Sequence, residues 1–164
     1  MKGKVIKYDE KNINTDLIIP ARYLNKSDPD HLAAHCMEDL DKDFIPKIRE
    51  MGTNILVADA NFGCGSSREQ APISIKAAGI NCVIAPSFAR IFFRNAINIG
   101  LPIIEFNEIK ELNTGDELEI NFNEGIIKNL TTKKSFEIKK MPKFLTEIIA
   151  ADGLVNFTKK RIIE

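Results

Sequence analysis

Residues 53–106 constrain the fold more than any other part of the chain. Two apolar runs, TNILVADA and NCVIAP, are separated by a glycine-bearing turn, NFGCGSS, and a helical segment, REQAPISIKAAG, that stops at Gly79. Short apolar strands joined through a helix lie parallel, because antiparallel neighbours connect through tight hairpins and parallel ones need a long crossover. The alternation then repeats: Ser87 is placed to cap a second helix, FARIFFRNAINI, which ends at Gly100 before the strand LPIIEF. A chain with this rhythm folds as α/β around a parallel sheet.

The flanks read differently. Residues 4–8 (KVIKY) and 16–19 (DLII) have short-strand character, with turn-forming Asn and Asp in the intervening NINTD. Asp28 is placed to cap a short helix with Pro29 at its first position. Beyond Glu111, TGDELEINF, NEGIIKNL and KKSFEIK alternate polar and apolar residues between Gly- and Asn-bearing turns, which predicts an antiparallel meander. Pro142 opens a last helix, KFLTEIIAADG, closed by Gly153, and the tail VNFTKKRIIE carries too short a pattern to assign. Without repeats or a low-complexity linker, 164 residues predict one domain, 1–164. It is an α/β domain, a parallel βαβ core joined to a smaller antiparallel sheet.

Composition narrows the function. Lys plus Arg and Asp plus Glu both count 23, so no net charge draws the chain toward nucleic acid or an anionic membrane. No apolar stretch approaches the roughly 20 residues of a membrane span, and MKGKVIKYDE lacks the apolar run of a signal peptide; a cytoplasmic protein is expected. Cys36, Cys64 and Cys82 are widely spaced with no CxxC pair, which signals neither a disulfide framework nor a self-contained zinc or iron–sulfur site. His31 and His35 share a helical face at i, i+4, but without the Glu of a metalloprotease helix they read as surface or capping residues.

Chemistry concentrates in Asn61-Phe62-Gly63-Cys64-Gly65-Ser66-Ser67-Arg68-Glu69-Gln70, at the carboxyl end of a strand, where open α/β sheets bind ligands. Gly63 and Gly65 permit close backbone approach, free amides at the helix start favour an anion, and Arg68 supplies a two-pronged carboxylate partner. It is not a nucleotide phosphate loop, since no GK[ST] follows. Ser66 with Glu69, or Ser67 with Gln70, also fits a capping box, in which the serines merely start the helix.

The whole string NFGCGSSREQAPISIKAAGINCVIAPSFARIFFRNAINIGLP resembles the hallmark of aconitase-superfamily swivel domains, and NINTDLIIPARYL, upstream, resembles their companion motif. Similarity runs from about the N-terminus to Phe106, and the short free-standing length is similar to that of isopropylmalate dehydratase small subunits. The resemblance implies a swivelling β/β/α domain that closes over a large subunit holding a four-iron iron–sulfur cluster, with no cofactor on this chain. It also implies a hydro-lyase acting on a hydroxy-dicarboxylate. Residue by residue, Ser66 matches the serine base, Ser67 and Arg68 match substrate-carboxylate contacts, and Asp16 matches an active-site aspartate.

Arg22, Tyr23, Leu24, Asn25 and Lys26 match the loop that reads the substrate's variable arm, where a cation suits homoaconitate and a neutral residue suits isopropylmalate. Asn25 is neutral and Lys26 is not, so isopropylmalate is favoured, with a homoaconitase or a methylmalate-type dehydratase as the alternative. The resemblance gives Cys64 neither a nucleophile's nor a ligand's role. Arg90 and Arg94 read as contacts to anions or to the partner, or as solvated charges. Two other classes are a non-catalytic anion-binding module using the same glycine turn, and a redox sensor built on Cys64.

Overall fold

A computed structural model describes residues 1–163. Its elements in chain order are β1 (Lys2–Lys7), α1 (Thr15–Ile18), a 3-10 turn (Ala21–Tyr23), α2 (Pro29–Ala34), α3 (Phe44–Met51), β2 (Ile55–Val57), α4 (Gln70–Ala77), β3 (Cys82–Ala85), α5 (Arg90–Asn98) and β4 (Ile103–Glu105). A second 3-10 turn (Ile109–Glu111), β5 (Glu117–Asn121), β6 (Ile126–Asn129), β7 (Lys134–Glu137), α6 (Lys143–Ala150) and α7 (Leu154–Ile163) complete it.

The predicted parallel core and antiparallel meander are both present, but as one seven-stranded sheet in the order β4-β3-β2-β1-β5-β6-β7. The join is β1. Val5–Lys7 pair in parallel with Ile55–Val57, whereas Lys2–Lys4 pair antiparallel with β5. Gly3 lies where the two partners converge, and a Cβ there would meet Asn54 Oδ1 at 2.2 Å and Ile55 Cδ1 at 2.8 Å. At its start the Met1 ammonium donates to the Ile120 carbonyl at 2.8 Å.

Alternate strand residues face opposite sides, which divides the core in two. Ile6, Leu56, Val83 and Ile103 join the apolar faces of the helices, among them Leu32, Phe44, Ile75, Phe92 and Ile148. Val5, Ile55, Val57, Cys82 and Ile84 meet Leu118, Ile120 and Ile127 of the antiparallel strands. The helices thus cover one face, and the curled antiparallel half covers the other. This is the expected β/β/α layering, and burial on both faces explains why β2 and β3 read as unbroken apolar runs.

Three local expectations are corrected. Residues 16–19 are no strand: the Asn14 side chain accepts the Leu17 N–H at 2.9 Å and caps the single turn of α1, overriding the β preference of the isoleucines. Ser87 does not cap α5, whose N-cap is Ala89 with no side-chain bond. Its hydroxyl instead accepts from the Asn61 N–H at 2.9 Å. The predicted helix over 68–79 begins only at Gln70. Asp28, as expected, caps α2 by accepting the His31 N–H, with Pro29 at the first position.

Candidate functional site: paired loops at the carboxyl ends of the parallel strands

Beyond β2 the chain runs on as an extended ladder. Asn12 N–H donates to Ala60 O (2.9 Å), Gly63 N–H to Ile13 O (2.8 Å) and Thr15 N–H to Cys64 O (2.9 Å), so the segment bearing Asp16 lies alongside the segment bearing Ser66. On the other side Phe62 N–H donates to Ser87 O and Ala89 N–H to Phe62 O. Asn12 and Asn61 both adopt left-handed backbone, with φ 56° and 61°, and their side chains bond to each other at 2.8 Å. Asparagine tolerates that conformation better than most residues.

Glycine is required at the centre. Gly63 has φ +77°, and a Cβ on it would sit 2.2 Å from the ring of Phe92. Phe62, Phe88 and Phe92 pack there ring against ring, joining the loop to the first turn of α5. Gly65, at φ +90°, turns the chain toward the serines.

Ser66 and Ser67 are exposed, and among the described residues neither hydroxyl has an intrachain hydrogen-bond partner. The capping box is not formed, because α4 has Glu69 as its N-cap with no side-chain bond. What fixes Ser66 is its carbonyl, which accepts from the buried Thr15 hydroxyl at 3.0 Å. The N–H groups of Gly65, Ser66, Ser67 and Arg68 donate to no other described group, leaving a run of donors ahead of the helix start.

Arg68 crosses back to the companion motif. Its Nη1 donates to Asp16 Oδ1 at 2.6 Å and to Ile19 O at 3.3 Å. The arginine side chain is 15% exposed and the aspartate 58%, so the cation is seated and the carboxylate faces solvent. Ser66, Ser67, Arg68 and Asp16, which sequence reasoning named on separate motifs, are thereby brought to one place. Cys64 is half-buried with its Sγ 3.5 Å from Asn12 O, a thiol packed in the ladder. Arg90 and Arg94 are exposed, on α5.

The loop of residues 22–26, expected to read the variable arm, is built otherwise. Arg22 is already engaged: it forks onto Asp39 at 2.8 and 2.5 Å and reaches Glu38 at 2.7 Å. These partners raise its pKa, and in turn Arg22 holds the Asp39 carboxyl below its usual range. Burial opposes ionisation of Glu38, but Tyr23, His35 and Arg22 outweigh it and keep this carboxyl low too. Tyr23 is half-buried and stacked, Leu24 packs on the main core, and Asn25 and Lys26 are exposed.

Sequence reasoning missed Thr15, the Asn12–Asn61 pair and the acidic partners of Arg22. Only the asparagines carried a signal, their left-handed tolerance. Among the described residues no group of three His, Cys, Asp or Glu side chains is placed to hold a metal ion, and Cys36 and Cys82 are fully buried.

Comparison with known proteins adds to this geometry. A family model described as the aconitase C-terminal domain matches residues 1–109. The chain is 59% identical over 162 residues to the 3-isopropylmalate dehydratase small subunit of Ruminiclostridium cellulolyticum, covering 98% of each chain. It is 58% identical over 157 residues to the 2,3-dimethylmalate dehydratase small subunit of Eubacterium barkeri, covering 95% of this chain and 94% of that one. A crystal structure of 3-isopropylmalate dehydratase from Methanocaldococcus jannaschii matches the backbone with a TM-score of 0.90 at 46% identity, over 99% of this chain and 95% of that one.

Proposed function

This chain belongs to the aconitase C-terminal domain family, and from that membership we propose that it is the small subunit of a 3-isopropylmalate dehydratase. That hydro-lyase interconverts 2- and 3-isopropylmalate by dehydration and rehydration in leucine biosynthesis. The observation that carries the reading is the Ser66–Ser67–Arg68 turn: two bare hydroxyls, a run of free amides and a seated guanidinium, held by main-chain bonds at the sheet's carboxyl edge.

Removing an unactivated C–H proton beside a carboxylate needs a strong base, and a free serine hydroxyl is far too weak an acid to supply one. In the proposed mechanism Ser66 acts as its alkoxide. The amides of the loop, the start of α4 and Arg68 stabilise that anion, an effect that grows once the site closes and water is excluded. Ser67 and Arg68 hold the substrate's carboxylates, and Asp16 holds Arg68 in place until the substrate carboxylate arrives. On rehydration Ser66 returns the proton.

Departure of hydroxide needs a Lewis acid, which we assign to an iron–sulfur cluster on a large-subunit partner, an arrangement that the family membership supports. The small-subunit designation of its relatives supports such a partner. No helix among the described residues is long and apolar enough to cross a membrane, and a cytoplasmic location with no nucleic-acid or membrane role suits the balanced charge.

Dimethylmalate is the second reading, favoured by a relative almost as similar as the isopropylmalate one. Both arms are uncharged, as is Asn25; homoaconitate's additional carboxylate would want a cation there. Reconstitution with a cluster-loaded large subunit, assayed on isopropylmalate, dimethylmalate and homoaconitate, tests the assignment. Turnover of isopropylmalate by the pair and by neither chain alone is expected. Appreciable turnover by this chain alone, or none by the pair, overturns it.

A further inference from the structure

Two histidines that looked like isolated surface residues close around the arm-reading loop. The His35 ring stacks on Tyr23 with centroids 3.6 Å apart and planes 5° apart, and His35 Nδ1 lies 2.8 Å from Glu38 Oε2. His31 Nε2 lies 3.2 Å from the Tyr23 carbonyl oxygen, and its ring meets His35 edge-on at 5.1 Å. The Arg22 guanidinium covers Tyr23 at 4.7 Å while it grips Glu38 and Asp39. Each imidazole thus commits one nitrogen to holding this loop or its acidic partner, and among the described residues the pair has no third ligand for a metal.

Resting on the reading that residues 22–26 face the substrate's variable arm, we propose that His35 is a positioning residue for substrate selection. Anchored by Glu38, it is the platform that sets the Tyr23 ring and thereby the path of the chain into Asn25 and Lys26. Among the described residues the Asn25 and Lys26 side chains form no hydrogen bond or ion pair, so the path that places them comes from Arg22, Tyr23 and the packing of Leu24. A flat ring stacked at contact distance restricts the tyrosine's rotation, and its removal lets the loop sample other paths. Substrates of this class share the reacting hydroxy-dicarboxylate and differ in the arm. A loosened loop therefore alters selection between them more than it alters the chemical step.

The test uses the assembled two-subunit enzyme. His35→Ala should raise KM for isopropylmalate with kcat nearly kept, and should shrink the kcat/KM preference over dimethylmalate by about threefold to tenfold, the scale of one aromatic stack. His35→Phe, which keeps the flat ring, should recover most of that preference. A role confined to folding would lower thermal stability or the yield of assembled enzyme and leave the ratio unmoved. Proton NMR of the free small subunit, whose histidines are His31 and His35, adds a direct readout. Tyr23→Leu should abolish the ring-current shift of one imidazole.

Asn25→Arg separates the two ideas, since it should move preference from isopropylmalate toward homoaconitate if the loop faces the arm. A moved Asn25→Arg preference with an unmoved His35→Ala ratio overturns the role of His35 and keeps the loop assignment. An unmoved preference in both overturns the two together. Failure of His35→Phe to recover the ratio overturns the stacking platform. Should His35→Ala not assemble, Glu38→Gln loosens the same ring more gently, and an unchanged ratio there overturns the proposal.

Discussion

The serine loop and the proposed arm loop belong to the same seven-stranded fold but are held by different means. Residues 60–66 are fastened through main-chain amides and carbonyls on both flanks, with glycine where a side chain would collide with Phe92. Residues 22–26 begin within a short 3-10 turn and are fastened by side chains: a stacked imidazole, a guanidinium fork and two carboxylates. A main-chain ladder survives most substitutions of its residues, because every residue but proline carries the same donors and acceptors. A side-chain brace changes with each replacement. The first arrangement suits chemistry that must stay fixed, and the second suits recognition that differs between otherwise similar enzymes.

Breaking the chemistry without touching the ladder should give the largest effect. Ser66→Ala removes a hydroxyl that has no intrachain partner, so turnover by the assembled enzyme should fall by at least about 10²–10⁴-fold. Thermal stability of the isolated chain should be unchanged. Near-normal turnover would return Ser66 to an ordinary loop residue.

Breaking the ladder should do the reverse. Gly63→Ala forces a Cβ to within 2.2 Å of the Phe92 ring at a φ of +77°, and denaturant unfolding should show a loss of about 2–4 kcal/mol from strain and overpacking combined. A loss below measurement error would mean that the Phe62–Phe88–Phe92 stack yields freely.

Arg68→Lys sharpens the contrast within the serine loop, because an ammonium reaches one oxygen where a guanidinium engages two. A drop in kcat/KM of about tenfold or more is expected, carried in part by KM, while folding is retained. An unchanged KM would remove Arg68 from carboxylate binding.

The smallest effect belongs to the arm loop's acidic brace. Arg22 holds the Asp39 carboxyl below its ordinary value of 3.8. A lowered folded-state pKa contributes stability that is present above the unfolded value and lost as pH falls through the folded one. The pair is exposed and screened, so Asp39→Asn should cost no more than about 1 kcal/mol at neutral pH. The wild-type advantage should persist at pH 5 and disappear as the pH drops below 3.8. An advantage that vanished already above pH 5 would dissociate the brace from Asp39.

Much of this was legible in the chain itself. Strands β2 and β3 announced themselves because burial on both faces makes them apolar throughout, and Gly79 and Gly100 marked where α4 and α5 stop. The site motif was legible because its residues are contiguous. Residues 16–19 misled because two isoleucines look like a strand, while the deciding bond comes from Asn14, outside the apolar run. Helix α3 passed unassigned, with Pro46 near its start obscuring a face on which Phe44 and Ile48 are buried. The brace was hidden for a different reason: Arg22 and its partners are 16 and 17 residues apart, a separation set by tertiary packing rather than by any period.

The shared strand β1 also fixes an order of events during synthesis. Its residues leave the ribosome well before those of β5, yet the ammonium of Met1 finds its acceptor 119 positions later, and Lys2–Lys4 find theirs in β5. Domains form as the nascent chain lengthens, and contacts distant in sequence are the slow ones to close. The parallel half can therefore assemble around the far end of β1 while the near end waits with an open edge. Until β5 emerges, that edge is the part of the nascent chain that a chaperone would have most reason to cover.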